Sequence, residues 1–88
     1  MKEDVDINPQ HTIGVFLLGG YVSQDNPKWL YKKNGRLVQT FDTTELAKEF
    51  TMRMNKLISP GEKKYYGMKY TVIPLTDKDK IFIEQNYK

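Results

Sequence analysis

The dipeptide Asn34-Gly35 lies between two runs of alternating apolar and polar residues, Lys28 to Lys33 and Arg36 to Phe41. Both central positions of a type I′ turn need φ > 0, which Asn and Gly adopt at least cost, so the pair predicts a β-hairpin. A two-residue loop there sets Lys33 opposite Arg36, Tyr31 opposite Val38 and Trp29 opposite Thr40. One face of the hairpin then carries Trp29, Tyr31 and Val38. The other carries Leu30, Leu37 and Phe41, interleaved with Lys28, Lys32 and Gln39.

Upstream of the hairpin, Ile13, Val15, Phe16, Leu17 and Leu18 form the most apolar run of the chain. Apolar side chains fall on both alternation faces, which predicts an inner strand covered on two sides. Gly19-Gly20 marks a bulge or bend after it. Ser23 to Pro27 is expected as a polar turn. Downstream, Asp42 or Thr43 caps a helix, with Glu45 and Glu49 near its positive end. At 100° per residue, Leu46, Ala47, Phe50, Met54, Leu57 and Ile58 form one apolar stripe, and Ser59-Pro60-Gly61 ends the helix. Glu62 to Lys64 is expected as a charged loop and Tyr65 to Leu75 as a strand, with Pro74 at its end or on an edge. Thr76 to Asp79 reads as a helix start, and Ile81-Phe82-Ile83 fits a short helix or a fifth strand.

The expected fold is α+β, in the order β-β-β-α-β. It has a four-stranded mixed sheet, one long helix on one face and a short C-terminal helix or strand. A meander followed by a helical return makes the last strand parallel to the first and gives the spatial order 4-1-2-3. The alternative sets the last strand beside the third. Residues 1–11, polar and without periodicity, are expected as a flexible leader, and residues 12–88 as a single domain. The segment Met1 to Asp6 has no apolar stretch of the kind a secretory signal needs, so a cytoplasmic location is expected. No apolar run approaches the 18–20 residues of a membrane span, so no membrane partner is expected.

Composition excludes much chemistry. The absence of cysteine rules out disulfides, thiolate nucleophiles and cysteine metal sites. His11 is the single histidine and falls in the leader, which leaves most general-base schemes without a base. Asp42 with Glu45, and Asp77 with Asp79, read as helix-capping acids. The cluster Glu3, Asp4 and Asp6 lacks the glycine and terminal acidic ligand of a calcium loop. Leu17-Leu18-Gly19-Gly20 is followed neither by Lys-Ser/Thr nor by a helix, so it is no phosphate cradle. The chain is expected to be no enzyme and to need no cofactor or metal.

Binding is the class that remains. Eleven aromatics (Trp29, six Tyr and four Phe) are many for a domain with one long helix. Either the C-terminal segment covers the sheet's second face, or some of them are left in water, where Trp and Tyr anchor partners. The expected partner surface is Trp29, Tyr31, Val38 and Tyr21, rimmed by Lys33 and Arg36. The competing arrangement buries Trp29 and Tyr31 under the helix. Met52, off the helical stripe beside Arg53 and Lys56, is a lesser contact candidate. Single-stranded nucleic acid is the alternative partner, suggested by Lys63-Lys64-Tyr65-Tyr66-Gly67-Met68-Lys69-Tyr70, which interleaves bases' natural contacts, aromatic rings and cations. Against it, the net charge is only +3, and Arg36 and Arg53 are the only arginines among fourteen Lys plus Arg. An edge strand also allows a homodimer.

The run Phe41-Asp42-Thr43-Thr44-Glu45-Leu46-Ala47-Lys48-Glu49-Phe50, after the Tyr-Lys-Lys-Asn-Gly-Arg hairpin, resembles a pattern in small accessory proteins of phages and mobile elements of low-GC Gram-positive bacteria. The resemblance covers about a quarter of the chain. It implies a small accessory protein that binds a host or phage component, and it assigns no functional residues.

Overall fold

The computed structural model describes residues 7–19 and 27–87. Gly20, Tyr21, the turn from Ser23 to Asn26, and the acids Glu3, Asp4 and Asp6 lie outside the described residues. The chain forms β1 (Ile13–Leu18), β2 (Tyr31–Lys32), β3 (Gly35–Phe41), α1 (Thr44–Leu57), α2 (Pro60–Tyr66), β4 (Lys69–Pro74) and α3 (Asp77–Asn86). The class is α+β, with a four-stranded sheet in the order β2-β3-β1-β4.

Every pairing is antiparallel, not mixed. As expected, β1 is an inner strand and β4 lies beside it, but its other neighbour is β3 rather than β2. The two-residue β2 is too short to fill a central place, whereas the seven residues of β3 span β1 from Ile13↔Phe41 to Leu18↔Gly35. Since β1 and β2 both run opposite to β3, they share a direction. The helical return then brings β4 back along β3, and so antiparallel to β1.

The hairpin forms with a shifted register. Tyr31 faces Arg36 and Lys32 faces Gly35, so the loop is Lys33-Asn34, with φ of 50° and 65°. Asn34 takes a left-handed position as expected. Gly35 instead enters the sheet, where an added Cβ would lie 3.0 Å from Leu18 Cγ. A bulge follows: Val15 pairs with Gln39 and Phe16 with Leu37, which leaves Val38 as the extra residue. The bulge reverses the alternation along β3, so Leu37 and Phe41 face opposite sides of the sheet rather than one.

The two faces are covered by different helices. Phe16, Leu37 and Ile83 of α3 form one buried cluster, with Ile7, Leu18, Leu30, Ile73, Leu75 and Tyr87 packed around it. On the other face α1 packs on β4, β1 and β3, and the Phe50 ring meets Phe41 with centroids 5.3 Å apart. Thr43 caps α1 by accepting from the Leu46 N–H at 3.2 Å. The buried side of α1 is centred on Ala47, with Phe50, Met54 and Ile58 beside it. Leu46 and Leu57, expected within the packed stripe, are 50% and 75% exposed. Polar Thr51 and Asn55 take the vacated places because each has a backbone partner. The Thr51 hydroxyl donates to Ala47 O, and Asn55 bonds the Tyr70 backbone twice.

Two segments differ from the sequence expectation. Ser59-Pro60-Gly61-Glu62 does not simply end α1; it opens α2, with Ser59 as N-cap, Pro60 in the first turn and Glu62 closing a capping box. Strand β4 therefore starts at Lys69 rather than Tyr65. Residues 7–11 are held against the sheet rather than loose: Ile7 joins the core periphery, and the Asn8 N–H donates to the buried Thr40 hydroxyl at 2.8 Å. His11 Nδ1 lies 2.8 Å from the same oxygen. The segment left open between helix and strand is helix α3, with Thr76 and Asp79 in a second capping box.

Candidate partner surface

Strand β2 and the turn before it position the aromatic group. Alternation sends Leu30 to the α3 face, where its N–H donates to the Tyr87 hydroxyl at 2.8 Å. Burial is the largest influence on that hydroxyl and pushes its pKa above the ordinary 10.0. Trp29 and Tyr31 consequently point to the opposite side, together with Arg36, which pairs across from Tyr31. The indole and phenol rings are tilted at 53° with centroids 6.4 Å apart, and the Arg36 guanidinium lies 4.7 Å from the Trp29 ring centroid. A cation over an exposed indole contributes about 0.5–1 kcal/mol, enough to bias both side chains towards one arrangement.

Trp29 keeps 38% of its surface exposed, while Tyr31 and Arg36 are half-buried. The residues foreseen for this surface are thus only partly brought together. Trp29, Tyr31 and Arg36 form a contiguous group. Val38 is the bulge residue of the β1–β3 pairing, and the shifted hairpin register puts Arg36 in the place opposite Tyr31 that was expected of it. Lys33 is in the turn and exposed. Tyr21 lies outside the described residues.

The group is fixed from behind by α3. Lys32 Nζ donates to Asp79 Oδ2 at 2.6 Å, and the Thr76 N–H donates to the same oxygen at 2.8 Å. Burial, the largest single influence, raises the Asp79 pKa. The hydrogen bonds from Lys32 and Thr76, with the Lys32 charge, together outweigh it and hold the carboxyl below its ordinary 3.8. The aromatic surface therefore rests on a strand tied at two points, Lys32–Asp79 and Leu30–Tyr87.

A second feature lies at the opposite edge of the sheet. An open cavity of about 400 Å³ is lined by Asn55, Lys63, Gly67, Met68 and Lys69. Four of these belong to the basic-aromatic run visible in the sequence. Asn55 was not foreseen there; a lone Asn on the sheet-facing side of a helix is the signal that marks it. Met52 is exposed, as its place off the stripe requires.

Among the described residues, no group of three or more His, Asp or Glu could hold a metal ion, and no helix is long and apolar enough to cross a membrane. No protein-family model, curated protein or solved structure matches the chain.

Proposed function

We propose that this chain is a small non-enzymatic binding protein that recognises a protein partner through Trp29, Tyr31 and Arg36. The observation that carries the reading is the Arg36 guanidinium stacked over an exposed indole on a doubly anchored strand. Trp, Tyr and Arg are the residues that dominate protein interfaces, and pre-ordering them lowers the entropy lost on association. With Lys33 exposed in the adjacent turn, the surface suits a partner with an acidic rim. The resemblance of the hairpin and helix junction to phage and mobile-element accessory proteins supports a cytoplasmic modulator of a host protein. Pairing of two copies through the β4 edge is the weaker arrangement, because Asn55 occupies the outward Tyr70 N–H and C=O and Pro74 has no N–H.

The test is affinity capture with the full chain as bait, with and without nuclease. A protein partner that survives nuclease, and whose affinity falls by about 2 kcal/mol or more in Trp29→Ala, is the expected result. Recovery of nucleic acid alone would overturn the reading, as would an unchanged affinity in a folded Trp29→Ala variant. Salt provides a second discriminator, since phosphate binding weakens steeply with ionic strength and an aromatic protein contact does not.

A further inference from the structure

We propose that the cavity at the β4 edge is a nucleotide site, taking a phosphate group together with the planar base it carries. The site is independent of the Trp29 surface.

Its floor is built by three elements. Asn55 comes from the last turns of α1, Lys63 from α2, and Met68 with Lys69 from the entry to β4; Gly67, the left-handed C-cap of α2, makes the corner. The corner is closely fitted. A Cβ on Gly19 would lie 2.4 Å from Gly67 O and 2.6 Å from Tyr66 O, so the end of β1 holds the α2 cap in place by direct backbone packing. A volume of about 400 Å³ falls within the range of small-ligand sites and suits a mononucleotide.

The lining decides the ligand's charge. It contains Lys63 and Lys69 and no acidic residue. Neither lysine makes an ion pair with another described residue. The nearest acid in sequence, Glu62, is committed to the Ser59 N–H of the capping box at 3.1 Å. Two uncompensated ammonium groups at one opening attract a doubly charged anion, and Lys binds phosphate as a point charge without needing Arg's fork. The C-terminal carbonyls of α2 oppose an anion weakly; two full charges outweigh a seven-residue helix.

The rest of the lining argues against a bare phosphate. Met68 supplies a polarisable apolar wall of the kind that packs against aromatic rings. Asn55 uses its Oδ1 and one Nδ2 hydrogen on Tyr70, which leaves the second Nδ2 hydrogen to donate to an acceptor on a base. A cationic mouth, a soft apolar wall and one fixed amide donor match a nucleotide better than phosphate or a nucleoside alone. The nucleotide's source is either a free mononucleotide or one unit of a single strand, and the test separates the two.

Calorimetric titration of the full chain with AMP, adenosine and inorganic phosphate, and anisotropy of a labelled oligothymidine, measure the site directly. AMP or the oligonucleotide is expected to bind, with adenosine and phosphate each at least about tenfold weaker. The Lys63→Gln/Lys69→Gln double variant should lose about tenfold or more in affinity, while the Lys48→Gln/Lys78→Gln double variant removes the same two charges away from the site without effect. In the unmodified protein, the amides of Gly67 and Met68 should shift in NMR spectra on addition of ligand, which needs no variant to fold. Binding of AMP assigns a free nucleotide, and binding of the oligonucleotide alone assigns a single strand. Trp29→Ala should leave either unchanged, so loss of the protein-partner reading does not touch this one. No binding of either probe at about 1 mM overturns the proposal. Equal loss in Lys48→Gln/Lys78→Gln, or phosphate binding as well as AMP, also overturns it.

Discussion

Lys32 on the edge strand and Asp79 in the first turn of α3 share a hydrogen bond of 2.6 Å, with only 9% of the Asp79 side chain exposed. Because the same carboxylate caps α3, one group joins a helix start to a sheet edge. Its pKa is lowered in the folded state, so its contribution is complete above the ordinary value of 3.8 and is lost as pH falls through the lower folded value. Asp79→Asn should reduce stability by about 2 kcal/mol at neutral pH and flatten the acid limb of the stability profile. Urea denaturation at a series of pH values checks both; an unchanged acid limb would show that other carboxylates control it.

Tyr87 should behave oppositely at high pH. Its folded pKa is raised by burial, so its contribution holds below the ordinary 10.0 and is lost as pH rises from there through the folded value. Tyr87→Phe leaves the Leu30 N–H without its acceptor and should cost about 1–2 kcal/mol at neutral pH. The variant should also lose part of the alkaline decline in stability, in the window from pH 10.0 up through the raised folded pKa, read by denaturation at a series of pH values.

Asn55 covers the outward backbone of Tyr70, bonding its N–H at 2.8 Å and its C=O at 3.1 Å. Asn55→Leu keeps the branched shape but uncovers that edge, at a cost of about 1–3 kcal/mol. It should also introduce concentration-dependent self-association, read by light scattering. A monodisperse variant would mean that the edge is protected by something other than this amide.

Glycines at two positions should respond with opposite signs. Gly19→Ala forces a side chain onto φ +76° and into the Gly67 carbonyl, and should cost at least about 2 kcal/mol. Gly61, early in α2, has nothing closer to its Cβ position than Ser59 Oγ at 4.0 Å. Gly61→Ala should stabilise by about 0.5–1 kcal/mol, because it removes disorder from the unfolded chain at no steric cost. Thermal denaturation of the pair is the measurement.

Truncation along α1 should separate the packed residue from its exposed neighbour. Phe50→Ala removes the ring tilted against Phe41 and should cost about 2–4 kcal/mol. Leu57→Ala, at a position 75% exposed, should change stability by no more than about 0.5 kcal/mol. Equal losses would contradict the observed face of α1.

These contrasts mark what was legible in the sequence. The inner position of β1, its neighbour β4, and the capped starts of α1 and α3 follow from patterning and from single cap residues, which act locally. The hairpin was legible as a hairpin, but its register depended on Gly35 fitting beneath Leu18, a contact between distant residues. The Val38 bulge placed Phe41 under α1 and had no local signature. Thr51 and Asn55 displaced Leu46 and Leu57 from the interface because polar groups with backbone partners can be packed, which an apolar stripe does not anticipate. The α2 start was legible: Ser59-Pro60-Gly61-Glu62 carries the Ser and Glu of a capping box, a signal that here outweighs Pro60 as a terminator. Of the partner surface, the grouping of Trp29 with Tyr31 followed from alternation, while the stacking of Arg36 followed only from the shifted register.

The placement of β1 between β3 and β4 also governs how the chain comes together during synthesis. Ile13 must find Phe41 on one side and Pro74 on the other. Of the four described strands, β1 is synthesised first and is enclosed on both sides only once β4 has been made. Until β4 has emerged, β3 covers one side of this apolar strand and the other side stays open. Non-local pairings of this kind slow folding and prolong exposure of unpaired strand edges. A nascent chain halted before residue 69 would present β1 as its stickiest segment, and that interval is when this protein most needs to be kept from other chains.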